Sequence, residues 1–319
     1  MKLFLYISSF FIVCLAPFMG EINLTLNDIF DTSKTTHTIF WDLRVSRVVL
    51  AFFVGGILAL GGLIFQIIFK NQLITPYTLG IASGTTLFTA ISIVFFPAMY
   101  MPISSVLGSL VTILILYYIS KQINKSSIAV STNSILLIGI ALSYFYSSAL
   151  MLVFYMSNLQ ENYSIVRFTL GSLDTVGFTS TLIIVFVSII FYAVIHFNKE
   201  KIKLLLICND TAFLKGLNVH KTNLILLIVV SLSVGVCISF VGPIGFIGLV
   251  VPHIIKLIYK QSADKLFFPV FFFGGIFLVF SDLISRNLNT DSSLPIGVVT
   301  AFIGAPFFVY LLVRRSRKL

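Results

Sequence analysis

Residues Asn223 to Tyr259 read NLILLIVVSLSVGVCISFVGPIGFIGLVVPHIIKLIY, 37 positions with one lysine and no acidic residue. As a single helix this stretch would run about 55 Å, nearly twice a hydrocarbon core of about 30 Å. Gly242 and Pro243 stand where a break is needed, because Pro removes a backbone donor and Gly accepts the angles of a tight reversal. The stretch is therefore read as two membrane spans. Working outward, runs of about 20 mostly apolar residues recur at 3–20, 48–69, 73–96, 103–120, 128–157, 178–198, 266–284 and 294–313. The sequence predicts an all-α integral membrane protein of ten transmembrane helices, forming one permease domain over residues 1–319.

Composition agrees. Of 319 residues, 58% are apolar and 10% charged, against roughly 25% charged in a soluble domain. Thirty-three Phe and a mean hydropathy of +1.07 exceed what one globular core can hide, so lipid must cover much of the surface. An ordinary cytosolic enzyme is excluded, as are disordered and fibrous classes. Cys14, Cys208 and Cys237 form no CxxC pair and suggest no disulfide framework.

An even number of spans puts both termini on one side. With the N-terminus inside, 16 of the 21 basic residues face the cytoplasm. Only Lys34, Arg44, Arg47, Arg167 and Arg286 lie outside, the asymmetry expected of inward-facing loops. The net charge of +10 thus reflects topology, and no basic run interleaved with aromatics points to nucleic acid. Lys2 and the apolar residues 3–16 resemble a signal peptide in outline. No small-x-small site follows, and removing the segment would spoil the charge pattern, so it is expected to remain as the first span. Three longer loops are expected, 21–47 and 158–177 outside and 199–222 inside.

Catalytic and metal chemistry find no support. There is no Walker A motif, and Gly-Lys never occurs. His37, His196, His220 and His253 share no ligand spacing, so no catalytic residue and no metal site is assigned. Gly55, Gly56, Gly61, Gly62, Gly80, Gly84, Gly297, Ala301 and Ala305 lie at helix-contact spacing and suit a closely packed bundle. Ser143, Tyr144, Tyr146, Ser147 and Ser148 make one span unusually polar, either as the wall of a pathway, with Ser143, Tyr144 and Ser147 foremost, or as helix-to-helix hydrogen bonds. Asp282 is the one carboxylate well inside a span, and Arg286 at i+4 makes a structural pair the favoured reading.

Three segments carry a resemblance. Val241 to His253 resembles the signature of the bacterial iron-siderophore, haem and vitamin B12 permease family of ABC importers. Leu43 to Leu50, continuing through Gly62, Gln66, Asn71 to Pro76 and Gly80, is similar to the family's second and third spans. Ser281 to Arg286, then Leu294 to Phe308, is similar to its last two. Two positions depart: Ser46 stands where the family usually has Pro, expected to soften a turn, and Ser293 where it usually has Glu, removing an outer acidic residue.

The resemblance implies a type II importer permease fold in a bacterial cytoplasmic (inner) membrane. It also implies a dimer with a second permease copy or related permease, two ABC ATPase subunits beneath, and a periplasmic or lipid-anchored solute-binding protein above. ATP and Mg would belong to the ATPase, with no cofactor on this chain. Arg44 and Arg286 match outer arginines that receive the binding protein's carboxylates; as a competing reading, lipid phosphate holds them. Residues 204–222 match the coupling segment, in which Asn209, Asp210, Thr211, Ala212, Phe213, Gly216 and Leu217 would form a short capped helix with an apolar knob. Asn71, Leu73 and Thr132 match a cytoplasmic gate, Asn71 serving equally well as a helix cap. The expected function is import of a ferric siderophore or related chelate. A haem or vitamin B12 permease, an ion-gradient transporter with Asp282 as its membrane carboxylate, and a membrane scaffold are the alternatives.

Overall fold

The computed structural model describes residues 2–19, 35–97, 101–123, 132–174, 177–206, 212, 214–288 and 294–316. Among them every regular element is helical. Helix α1, Lys2–Leu15, passes into a 3₁₀ turn at Ala16–Phe18. Helix α2, Ser46–Ile68, grows without a break out of Thr35–Thr38 and a π-helical stretch at Ile39–Val45. Then follow α3 (Ile81–Phe95), α4 (Met101–Ile123), α5 (Thr132–Met156), α6 (Leu159–Leu170), α7 (Thr179–Phe197) and α8 (Lys199–Leu205). The chain continues through α9 (Val219–Val241), α10 (Ile247–Tyr259), α11 (Phe267–Asn287) and α12 (Ile296–Ser316).

Among the described residues six helical segments are long and apolar enough to cross a membrane: Thr35–Ile68, Met101–Ile119, Leu136–Met156, Thr179–Phe197, Lys221–Val241 and Phe267–Asn287. Shorter apolar helices at Leu5–Phe18, Ile81–Phe95, Ile247–Tyr259 and Ile296–Tyr310 occupy the other four runs. The break at Gly242 is where the sequence puts it. Gly242 has φ +70° and donates its N–H to Ile238 O at 2.8 Å. A Cβ there would stand 2.3 Å from Phe168 O, so glycine is required by conformation and by space. The second piece, α10, has only 13 residues, about 20 Å of helix.

Three expectations change in detail. The run 73–96 is helical only from Ile81, because Thr75 and Thr78 exchange side chain-to-backbone hydrogen bonds in a turn and Gly80 at φ +78° redirects the chain. The outer loop 21–47 is helical from Thr35, where the buried ring of Phe40 packs at 5.3 Å from Phe18. The outer loop 158–177 contains α6, started by a reciprocal capping box between Asn158 and Glu161.

Helix α2 is the axis of the bundle, buried along most of its length and packed on α7, α9, α10 and α11. Its glycines allow the contact. A Cβ on Gly55 would lie 2.3 Å from Gly274 O on α11, and one on Gly62 would lie 2.1 Å from Gly248 O on α10. Such approach multiplies dispersion contacts where lipid removes the hydrophobic drive between helices. Between α3 and α4 the buried hydroxyls of Thr85, Thr89 and Thr112 bond carbonyls of their own helices, so these polar groups carry partners into the apolar interior.

Candidate functional site

At the N-terminal end of α2 the arginines and carboxylates converge. Asp282, on α11 and without solvent exposure, accepts a hydrogen bond from Arg47 Nε at 2.8 Å and lies 3.1 Å from Arg286 Nε. Arg47 also pairs through Nη1 with Asp174 Oδ1, in the loop after α6. The second oxygen of Asp174 accepts from Ser172 Oγ at 2.7 Å and lies 3.6 Å from Arg167. Arg44 is only 7% exposed and donates to Pro17 O at 3.3 Å, while Arg286 donates to Ala16 O and Met19 O at 3.5 Å. The chain after α1 therefore covers both arginines singled out from the sequence. Arg47 and Asp174 were not singled out, since they meet across 127 positions that no local pattern spans. Burial pushes the Asp174 carboxyl up, but Arg47, Ser172 and Arg167 outweigh it and hold it below the ordinary value.

Ser46 does not soften a turn here. It is buried in line with the helix, with its hydroxyl 2.6 Å from Gly177 O and 2.9 Å from Thr181 Oγ1, tying α2 to α7. Ser293 lies outside the described residues.

The other end of α2, about 35 Å away over 23 residues, holds the remaining motifs. Asn71 Oδ1 accepts the N–H of Leu73 at 2.9 Å, a local turn, and Leu73 is exposed. Thr132 opens α5, its side chain outside the described set. Nearby, Lys256 Nζ donates to Gln66 Oε1 at 2.8 Å and Gln66 Nε2 donates to Gly248 O at 3.2 Å, binding α10 to α2. In the segment after α8, Asn209, Asp210, Thr211 and Phe213 lie outside the described residues. Ala212 and Leu217 turn into the main core, joined by the Leu217 N–H to Ala212 O bond at 3.1 Å, and Gly216 adopts φ +79°. Leu214, 83% exposed, projects outward among the described residues of this segment.

On α5, Tyr144 and Ser147 are exposed and Ser143 is half-buried, its hydroxyl returned to Gly139 O at 2.9 Å. Tyr146 instead faces inward, its hydroxyl 3.1 Å from Thr112 Oγ1. The helix thus divides its hydroxyls, Tyr146 serving packing and Tyr144 with Ser147 facing away from the chain's core.

Residues 8–314 match the FecCD transport family. The chain belongs to that family. The vitamin B12 import system permease BtuC of Vibrio cholerae is 30% identical over 318 residues, covering 98% of this chain and 93% of the relative. The Fe(3+)-citrate import system permease YfmD of Bacillus subtilis is 29% identical over 328 residues, covering 97% and 95%. Among solved structures, the inward-facing conformation of an ABC transporter assigned to the metal-chelate type superposes with a TM-score of 0.85 at 22% identity, covering 97% of this chain and 99% of that one. The fold is that of a type II ABC importer permease. This member of the family is accordingly a multi-pass membrane permease of the ABC importer kind.

Proposed function

We propose that this permease imports a ferric siderophore or related iron chelate, handed over by a solute-binding protein and driven by ATP hydrolysis on a separate ATPase dimer. The family match over residues 8–314 carries the reading, and the Fe(3+)-citrate relative favours iron within it. A vitamin B12 cargo is the second reading, favoured by the equally similar BtuC.

In this reading the whole chain is one permease domain in a bacterial cytoplasmic membrane, both termini inside, paired with a second permease copy or a related chain. ATP and Mg sit on the ATPase. The end holding Arg44, Arg47 and Arg286 receives acidic residues of the binding protein, because charge pairing across such an interface supplies register and on-rate while letting the partner leave. The segment 204–222 couples to the ATPase, with Leu214 offering the apolar knob. Leu73 closes the path beside Asn71 and Thr132 by excluding water, and Tyr144 with Ser143 and Ser147 lines the way through.

The test is uptake by a deletion strain with and without this chain restored, using ⁵⁵Fe-citrate, a ⁵⁵Fe-hydroxamate chelate and ⁵⁷Co-cobalamin. Restoration of ferric uptake alone is expected. Restored cobalamin uptake alone supports the second reading, and no restoration of any cargo overturns both.

A further inference from the structure

Arg47 has two carboxylate partners of unlike character. Asp282 is fixed on α11, fully buried, and takes Nε of Arg47 at 2.8 Å while also facing Arg286. Asp174 sits in the irregular loop 171–174, its side chain 32% exposed, and takes Nη1 from the solvent side. If Asp174 let go of Arg47 it would not be stranded, because Ser172 Oγ at 2.7 Å and the exposed Arg167 at 3.6 Å hold its other oxygen. Arg47, by contrast, would present a desolvated donor still oriented by Asp282. The guanidiniums of Arg44, Arg47, Arg167 and Arg286 share this end of α2 with the carboxylates of Asp174 and Asp282, and of those two carboxylates Asp174 alone faces solvent.

We propose that Asp174 is an internal stand-in for a partner carboxylate: it occupies Nη1 of Arg47 until an acidic side chain of the solute-binding protein takes that position by exchange, and it retakes the position to speed release. The proposal rests on binding-protein docking at this end and assigns a control residue to it. No covalent bond is made or broken, and Asp174 passes from Arg47 to Arg167 and back. An ion pair with one solvent-facing partner shifts an equilibrium by about two- to fivefold, enough to tune a partner that must leave after delivery without abolishing its docking.

The experiment uses the full chain with its ATPase in nanodiscs and, as probe, the purified iron-free solute-binding protein that supports uptake with this chain. Asp174→Asn is expected to slow dissociation about two- to fivefold, and the effect is expected to vanish on an Arg47→Gln background, since a double-mutant cycle isolates the pair from general charge effects. A second measurement leaves Arg47 in place: its modification by phenylglyoxal, read by mass spectrometry, should rise several-fold in Asp174→Asn while that of Arg44 stays constant. Unchanged dissociation in Asp174→Asn, or unchanged Arg47 reactivity, overturns the exchange even where Arg47→Glu still weakens docking, which leaves the docking reading standing. If neither the wild type nor any variant binds the probe, docking at this end fails and the exchange with it.

Discussion

A carboxylate without solvent exposure persists at the end of α11 because two guanidiniums reach it, one from its own helix and one from α2. A buried charge is tolerated only when paired and hydrogen-bonded. The i+4 spacing made Arg286 legible as a partner of Asp282, whereas Arg47, 235 positions distant, needed the fold. Asp174 extends the group to the surface, and its behaviour with pH can be stated. Its carboxyl is held below the ordinary value in the folded chain, chiefly by Arg47 against the opposing effect of burial. A depressed carboxylate contributes stability that is complete above its unfolded value and is lost as pH falls through the folded one. The melting-temperature difference between wild type and Asp174→Asn in detergent is therefore expected to stay constant from about pH 8 to about pH 5 and to close below about pH 4. A difference that persists unchanged to about pH 3 would show that the substitution acts through shape and not through the ion pair.

At the scale of elements, apolar runs gave the helices away and short-range chemistry set their ends. The bounds 48–69, 178–198 and 266–284 fall within three residues of α2, α7 and α11, since lipid-facing and core-facing positions are both apolar. The start of α3 was not legible by hydropathy, because Leu73 to Leu79 is apolar enough to look like a span while its threonines and Gly80 bend it into turns. Helix α6 could have been found from Asn158 and Glu161 three residues apart, a capping-box signature inside a polar loop. In the segment after α8, the facing of side chains was not readable from the sequence: Ala212 points inward at 1% exposure and Leu214 outward. The two residues should therefore fail differently. Leu214→Glu is expected to leave the melting temperature in place and to lower ATPase co-purification about tenfold, the loss typical of an exposed apolar anchor. Ala212→Arg buries an unpaired charge and is expected to cost about 3 kcal/mol or more, seen as lost membrane expression. Wild-type ATPase yield with Leu214→Glu would remove that side chain from the docking surface.

Across the whole molecule, charge and helix direction make one prediction together. Arg47 and Arg167 meet through Asp174, Arg47 and Arg286 through Asp282, and Arg44 and Arg286 both bond the turn that follows α1, so four of the five basic residues assigned outside gather at one end of α2. Lys70 follows the other end of the same helix, and α7 runs from its contact with Ser46 down to Lys199, Lys201 and Lys203. The positive-inside rule then places the Lys70 end in the cytoplasm. In a version with Cys14, Cys208 and Cys237 replaced by Ala, a single cysteine at the exposed Gln160 of α6 should react with an impermeant maleimide in right-side-out vesicles. Single cysteines at Leu214 and at the exposed Lys260 should react only after permeabilisation. An inverted pattern would put the arginine cluster in the cytoplasm and remove the docking reading along with the orientation. Equal labelling of Gln160 and Leu214 from outside would mean that α7, the helix joining them, does not cross, and the bundle's long axis would then have to lie in the membrane plane.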